Sequence, residues 1–203
     1  MSMKRFSKAF IIVVSLSVGI VLMSFVIDNE VSTNKNFAIK DSVTSVKAFH
    51  EVYKVLLSPR CMNCHPSGDI PLQGDDSHAH AMLPKRGVDG KGVYAMKCGN
   101  CHQSANTEGS GRPPGAPNWH LPPANMKMVF QGKSEHDLAK QIANPKTNGN
   151  KNLKQLIAHA EDGLVKWGWE PGEGRTLPPL TYDEFKKAWN TWLENGAYAP
   201  SGK

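Results

Sequence analysis

The sequence predicts an all-α fold of a few helices joined by long loops, on three observations. Segments near residues 42–57, 134–143, 152–167 and 181–196 carry apolar residues at helical spacing behind a capping residue, while strand-like alternation is scarce. Gly (18) and Pro (14) are abundant in the stretches between them, which reads as loop. Two five-residue motifs, Cys61-Met62-Asn63-Cys64-His65 and Cys98-Gly99-Asn100-Cys101-His102, sit where helical segments give way to loops and use every cysteine of the chain.

Each motif reads Cys-x-x-Cys-His, the pattern for covalent attachment of a c-type haem. Two thiols at this separation can form thioethers with the two vinyl groups of one porphyrin. The adjacent histidine then falls under the ring and ligates the iron proximally. Cys61, Cys64, Cys98 and Cys101 are therefore the expected covalent anchors, and His65 and His102 the proximal ligands, of two haem c groups. These groups would supply much of an apolar core that the loops cannot. The competing chemistry is one zinc ion held by four thiolates, with 33 residues between Cys64 and Cys98. Zinc needs no histidine after either pair and no export. No cysteine is left for a disulfide, a lipid anchor or a catalytic thiol.

Lys4, Arg5 and Lys8 precede a charge-free, mostly apolar run from Ala9 to Ile27. This reads as a secretory signal: a peptide that is removed, or an anchor retained in the inner membrane through residues 9–27. No Ala-x-Ala site follows the run. Residues 1–27 form this segment, 28–41 a polar linker, and 42–203 the haem-bearing domain, placed on the periplasmic side of the inner membrane. The three cations of the leader account for half of the formal +6, leaving +3. Four haem propionates would offset that surplus, so the charge implies no nucleic-acid partner.

Ser42 caps an expected helix to about Leu57, with Val46, Phe49, Tyr53 and Leu56 on one face and Pro59 as its stop. His50 on this helix reads as a surface or packing residue. The loop 66–92 is long enough to suggest a site. It carries His78-Ala79-His80-Ala81-Met82, which offers a distal ligand for the first haem, with His80 preferred over His78 and Met82. Gly92-Val93-Tyr94 begins an expected short helix leading into the second motif. The loop after His102 is Pro-rich and ends in Met126 and Met128. Met128 is the preferred distal ligand for the second haem and His120 its competitor. Ser134 with Asp137 caps a helix to about Ala143, and Asn152 caps one expected to run from Leu153 to about Trp167. His159 lies about 115° from the centre of that helix's apolar stripe and ranks behind His80 as a ligand. The Trp167-Gly168-Trp169 turn reads as packing, or as a docking patch. Thr181-x-x-Glu184 is a capping box for the last helix, with Phe185, Trp189, Trp192 and Leu193 on its apolar face and Gly196 at its end.

With these residues in view, the chain resembles small exported dihaem cytochromes c. Gly-x-Tyr ahead of the second motif, a proline-rich loop with a methionine after it and a capped terminal helix carry the likeness. The resemblance implies a cytochrome c-like fold, with Tyr94 against a haem edge. Gly74-Asp75-Asp76-Ser77-His78, Gly115-Ala116-Pro117-Asn118-Trp119-His120-Leu121-Pro122-Pro123 and Trp167-Gly168-Trp169-Glu170-Pro171-Gly172 are similar to proteins labelled as the cytochrome c subunit of isoquinoline 1-oxidoreductase, over about residues 45–200. That label implies a molybdenum hydroxylase as electron donor. The function expected is electron transfer between redox partners. The alternative is a haem enzyme such as a dihaem peroxidase, which needs one open iron; its motifs lie much farther apart than the 37 positions from Cys61 to Cys98. A haem-based sensor would also need an open iron, and no signalling domain follows.

Overall fold

Apolar residues at helical spacing need a partner surface, and the chain supplies one by packing its first described helix on its last. The structure, a computed structural model, describes residues 41–202. The expected leader, 1–27, and the linker up to residue 40 lie outside them. Helix α1 spans residues 41–56 and buries Phe49, Val52, Val55 and Leu56. Helix α6, Tyr182–Glu194, buries Phe185, Trp189, Trp192 and Leu193. Phe49 and Trp192 meet with ring centroids 4.6 Å apart. Each large side chain buried this way contributes about 2 kcal/mol. The buried Ser45 hydroxyl donates to the Trp192 carbonyl at 2.9 Å and accepts from the Tyr198 amide at 3.0 Å, fixing the C-terminal segment to α1.

Between them, α2 (Pro59–Met62) is one turn carrying the first cysteine of the first motif. A two-residue antiparallel ribbon follows, β1 (Leu72–Gln73) against β2 (His78–Ala79). The second motif sits on a 3-10 turn, Cys98–Asn100. Helix α3 (Glu135–Ala143) is capped by Ser134 and adds Leu138, Ala139 and Ile142 to the core. Helix α4 (Leu153–His159) and α5 (Gly163–Trp167) complete the set. From Ser42 onward the described residues form one compact unit. Among the described residues no helix is long and apolar enough to cross a membrane.

Two expected elements differ. The helix expected over 153–167 breaks at Ala160–Asp162, because Asp162 takes an extended backbone as the N-cap of α5 and its carboxylate binds the His159 ring. The expected helix from Gly92 is absent. The chain folds back so tightly there that a Cβ on Gly92 would lie 2.3 Å from the Met96 carbonyl oxygen, and Gly92 adopts φ 86°.

The turn at this helix break is tied to α6 by Glu161, whose carboxylate binds Lys166 at 2.8 Å and also Lys186. These hydrogen bonds hold its carboxyl at about 2, below the ordinary 4.5. A depressed folded value adds stability above pH 4.5 that is lost as pH falls toward 2. Glu161→Gln is therefore expected to flatten the acid limb of the melting temperature between these values, leaving the curve above pH 5 parallel to wild type. An unchanged acid limb would remove the role assigned to this pair.

Candidate haem sites

The two motifs open on two different cavities. One, of about 650 Å³, takes Cys61, Cys64 and His65 in its wall; the other, of about 600 Å³, takes Cys98, Cys101 and His102. Both volumes lie in the range of cofactor pockets, roughly 300–1,000 Å³. Leu56, Phe130, Ile142, Leu156, Phe185 and Trp189 face the first cavity, so it is continuous with the helical core. The second is walled by loops, with Pro71, Pro84, Pro113 and Arg175 among its residues. Arg60, Cys64, Trp119 and Trp167 line both, so the two cavities share a wall.

The histidine of each motif is held by the same two devices. The Nδ1–H of His65 donates to the Met128 carbonyl at 2.6 Å, and its ring stacks on Phe130 at 3.8 Å. The Nδ1–H of His102 donates to the Pro114 carbonyl at 2.7 Å, and its ring stacks on Trp119 at 4.4 Å. A carbonyl on Nδ1 sets the tautomer and leaves the Nε2 lone pair for a metal. Burial pushes His65 down to about 4 and lowers His102 as well, so both rings are neutral, the ligating form, at neutral pH. Burial raises the Cys61 thiol to about 12 and the Cys64 thiol to about 11. A thioether, which carries no charge, suits such surroundings.

Local backbone explains the placement. The segment behind His65 is bound to it directly, with the Phe130 amide donating to the His65 carbonyl at 2.9 Å. Met128 has φ 47°, a left-handed conformation that costs a non-glycine residue about 1 kcal/mol or more. This strained residue carries the carbonyl that holds His65. At the second site Gly115 is required, since a Cβ would lie 2.1 Å from the Ala105 carbonyl oxygen. Asn106 stitches this loop to the Trp turn: its Oδ1 accepts from the Gly115 amide and the Trp167 indole, both at 3.0 Å, and its Nδ2 donates to the Glu170 carbonyl at 2.7 Å.

The residues fit haem in three further respects. The four cysteines are free, and among the described residues no group of three or more His, Cys, Asp or Glu side chains is placed to hold a metal ion. The Arg60 side chain is 3 % exposed, yet its Nε has no hydrogen-bond partner. A buried orphan donor beside both cavities suits an anionic edge such as a propionate. Both cavities, lastly, are lined by further histidines.

Those histidines are distributed differently from the sequence expectation. His80, expected at the first haem, lines the second cavity, with its ring centroid 6.3 Å from that of His102. Met128 and His120, expected at the second haem, line the first cavity. Met128 also presents its carbonyl to the proximal ring, which places its backbone behind His65 rather than across from it. The reason is a crossing of loops: 66–92 folds over the first motif toward the second, and 103–134 returns behind the first. His78 lines neither cavity and binds the Asp76 carboxylate at 2.6 Å. Tyr94, expected against a haem edge, is 93 % exposed. His50 binds Glu135 at the surface. His159 lines the first cavity, with its Nδ1 bound to the Asp162 carboxylate. Its angle puts it at the edge of the apolar stripe, a side face on which a haem can bind, and that face borders the first cavity.

Trp167 packs edge-on to Trp119, and the Trp169 indole donates to the Leu180 carbonyl at 2.7 Å, so both belong to the packing of the domain. No protein-family model, curated protein or solved structure matches the chain.

Proposed function

We propose that this chain is an exported dihaem c-type cytochrome that carries electrons between redox partners on the periplasmic side of the inner membrane. The observation that carries this reading is the matched construction of the two motifs. Each opens on its own cofactor-sized cavity, with a neutral histidine clamped between a backbone carbonyl and an aromatic ring. Haem supplies reversible one-electron chemistry when bound. The chain's own residues do the rest. His65 and His102 present fixed Nε2 lone pairs, Phe130 and Trp119 hold those rings in plane, and Arg60 offers a buried cation to carboxylates. The shared wall of Cys64, Trp119 and Trp167 keeps the two sites adjacent, as a carrier with two centres requires.

A haem enzyme such as a dihaem peroxidase would need one iron left open. The further histidines on both cavities, His80 on one and His120 and His159 on the other, favour closed sites and hence the carrier. A molybdenum hydroxylase as donor rests on the resemblance of the stretches quoted above.

Purified protein is expected to carry two covalent haems per chain by alkaline pyridine spectroscopy. Paramagnetic resonance should show both irons low-spin, and the reduced form should not bind carbon monoxide at neutral pH. A high-spin, peroxide-reactive haem would replace the carrier with the enzyme. Absence of covalent haem with stoichiometric zinc would remove both.

A further inference from the structure

We propose that His80, in the loop following the first motif, is the sixth ligand of the iron anchored by the second motif. The inference rests on the dihaem reading and names a ligand within it. His80 and His102 line the same cavity with ring centroids 6.3 Å apart and ring planes at 73°. Two metal–nitrogen bonds of about 2 Å and two nitrogen-to-centroid distances of about 1.1 Å add to about 6.2 Å, the span of two imidazoles on one metal. His102 already commits Nδ1 to the Pro114 carbonyl, so Nε2 is its free atom. His80 takes only a long 3.3 Å contact at Nδ1, from the Met82 amide. When Nε2 gives its lone pair to iron, Nδ1 carries the proton and that contact opens.

The loop is built to hold His80 in place. Its own amide donates to the Pro71 carbonyl at 2.9 Å, and the Leu83 amide donates to its carbonyl at 2.8 Å. The Asn63 side chain, inside the first motif, donates to the Gly74 carbonyl at 2.9 Å. Arg86, 1 % exposed on its side chain, donates to the Gly68 carbonyl at 3.0 Å and to the Pro122 carbonyl at 2.6 Å, closing the base of the loop onto the segment after the second motif. Of the neighbouring candidates, His78 is bound to Asp76, while Met82 also lines this cavity and is 67 % exposed, against the part-buried His80. One motif's loop thus completes the other motif's site.

The test uses the full-length holoprotein. His80→Ala should retain two covalent haems while one of the two turns high-spin and binds one equivalent of carbon monoxide; added imidazole should return it to low spin. In a Cys98→Ala/Cys101→Ala background, which keeps only the haem on Cys61 and Cys64, the same His80→Ala change should leave the spectrum unaltered. Two low-spin haems in His80→Ala, or a changed spectrum in the single-haem background, would overturn the assignment. If His80→Ala folds poorly, His80→Met supplies the readout: it should raise the reduction potential of one haem and leave the other in place, since thioether ligation favours the reduced iron. Unshifted potentials would overturn the assignment equally. Failure of the dihaem reading itself would be distinguishable, because the wild-type protein would then lack covalent haem.

Discussion

Replacing Cys61 and Cys64 by alanine is expected to remove one haem and abolish cooperative folding, whereas replacing Cys98 and Cys101 removes the other and leaves a folded protein. The difference lies in what each cavity borders. Seven core side chains, Leu56, Phe130, Ile142, Leu156, Ala160, Phe185 and Trp189, face the first cavity. Without haem the apolar faces of these side chains would be left to water, so helices α1, α3, α4 and α6 would lose a surface they pack on. No residue of the buried core cluster lines the second cavity. Loss of the second haem would therefore leave the helical core packed. Covalent haem per chain and thermal melting followed by circular dichroism check both halves. Equal melting temperatures for the two double variants would remove the distinction.

Asp75→Ala is expected to destabilise the holoprotein by about 3 kcal/mol, the lower end of the range for stripping a partner from a buried charge. Asp75 binds Arg60, whose side chain is 3 % exposed while its own is 40 % exposed. The variant therefore strips from a buried guanidinium the side-chain carboxylate it pairs with. It also removes the acceptor for the Thr176 amide at 3.0 Å and hydroxyl at 2.6 Å, the bonds that tie the ribbon turn to the segment after the Trp turn. Those Thr176 bonds, with the field of Arg60, hold the Asp75 carboxyl below the usual carboxylate range. Its contribution is thus present at neutral pH and lost as pH falls below that range. Urea unfolding at pH 7 and at pH 3 checks this, with the gap between variant and wild type expected to narrow at pH 3. The ribbon carries the loop of His80, so the second haem should also show a broadened low-spin signal. A loss below 1 kcal/mol at pH 7 would show that Arg60 finds its charge balance elsewhere.

The readable parts of this molecule were those written locally. Ser134, Asn152 and Thr181 cap helices within three residues of themselves, and all three caps form. The apolar face of α6 is legible because its period is a property of one helix. The long helix expected through Trp167 was misread because Asp162 and Gly163 stop it: the Asp162 carboxylate turns back to His159, a competition that apolar spacing alone does not display. Tyr94, expected at a haem edge by likeness alone, has a left-handed backbone, φ 49°, and lines neither cavity.

By itself the sequence determined the two Cys-x-x-Cys-His motifs, with His65 and His102, and the helices that frame them, since each is specified by residues a few positions apart. Only the tertiary structure decided which distal candidates meet which motif. His80 lies 15 residues from His65 and 22 from His102, yet it shares a cavity with His102. Met128 lies nearer in sequence to His102, yet its carbonyl holds His65. The physical reason is that long loops close at small and nearly length-independent entropic cost, so chain distance does not choose their partner. The buried Arg86 and the strained backbone at Met128 make that choice, through contacts that exist only once the loops have crossed.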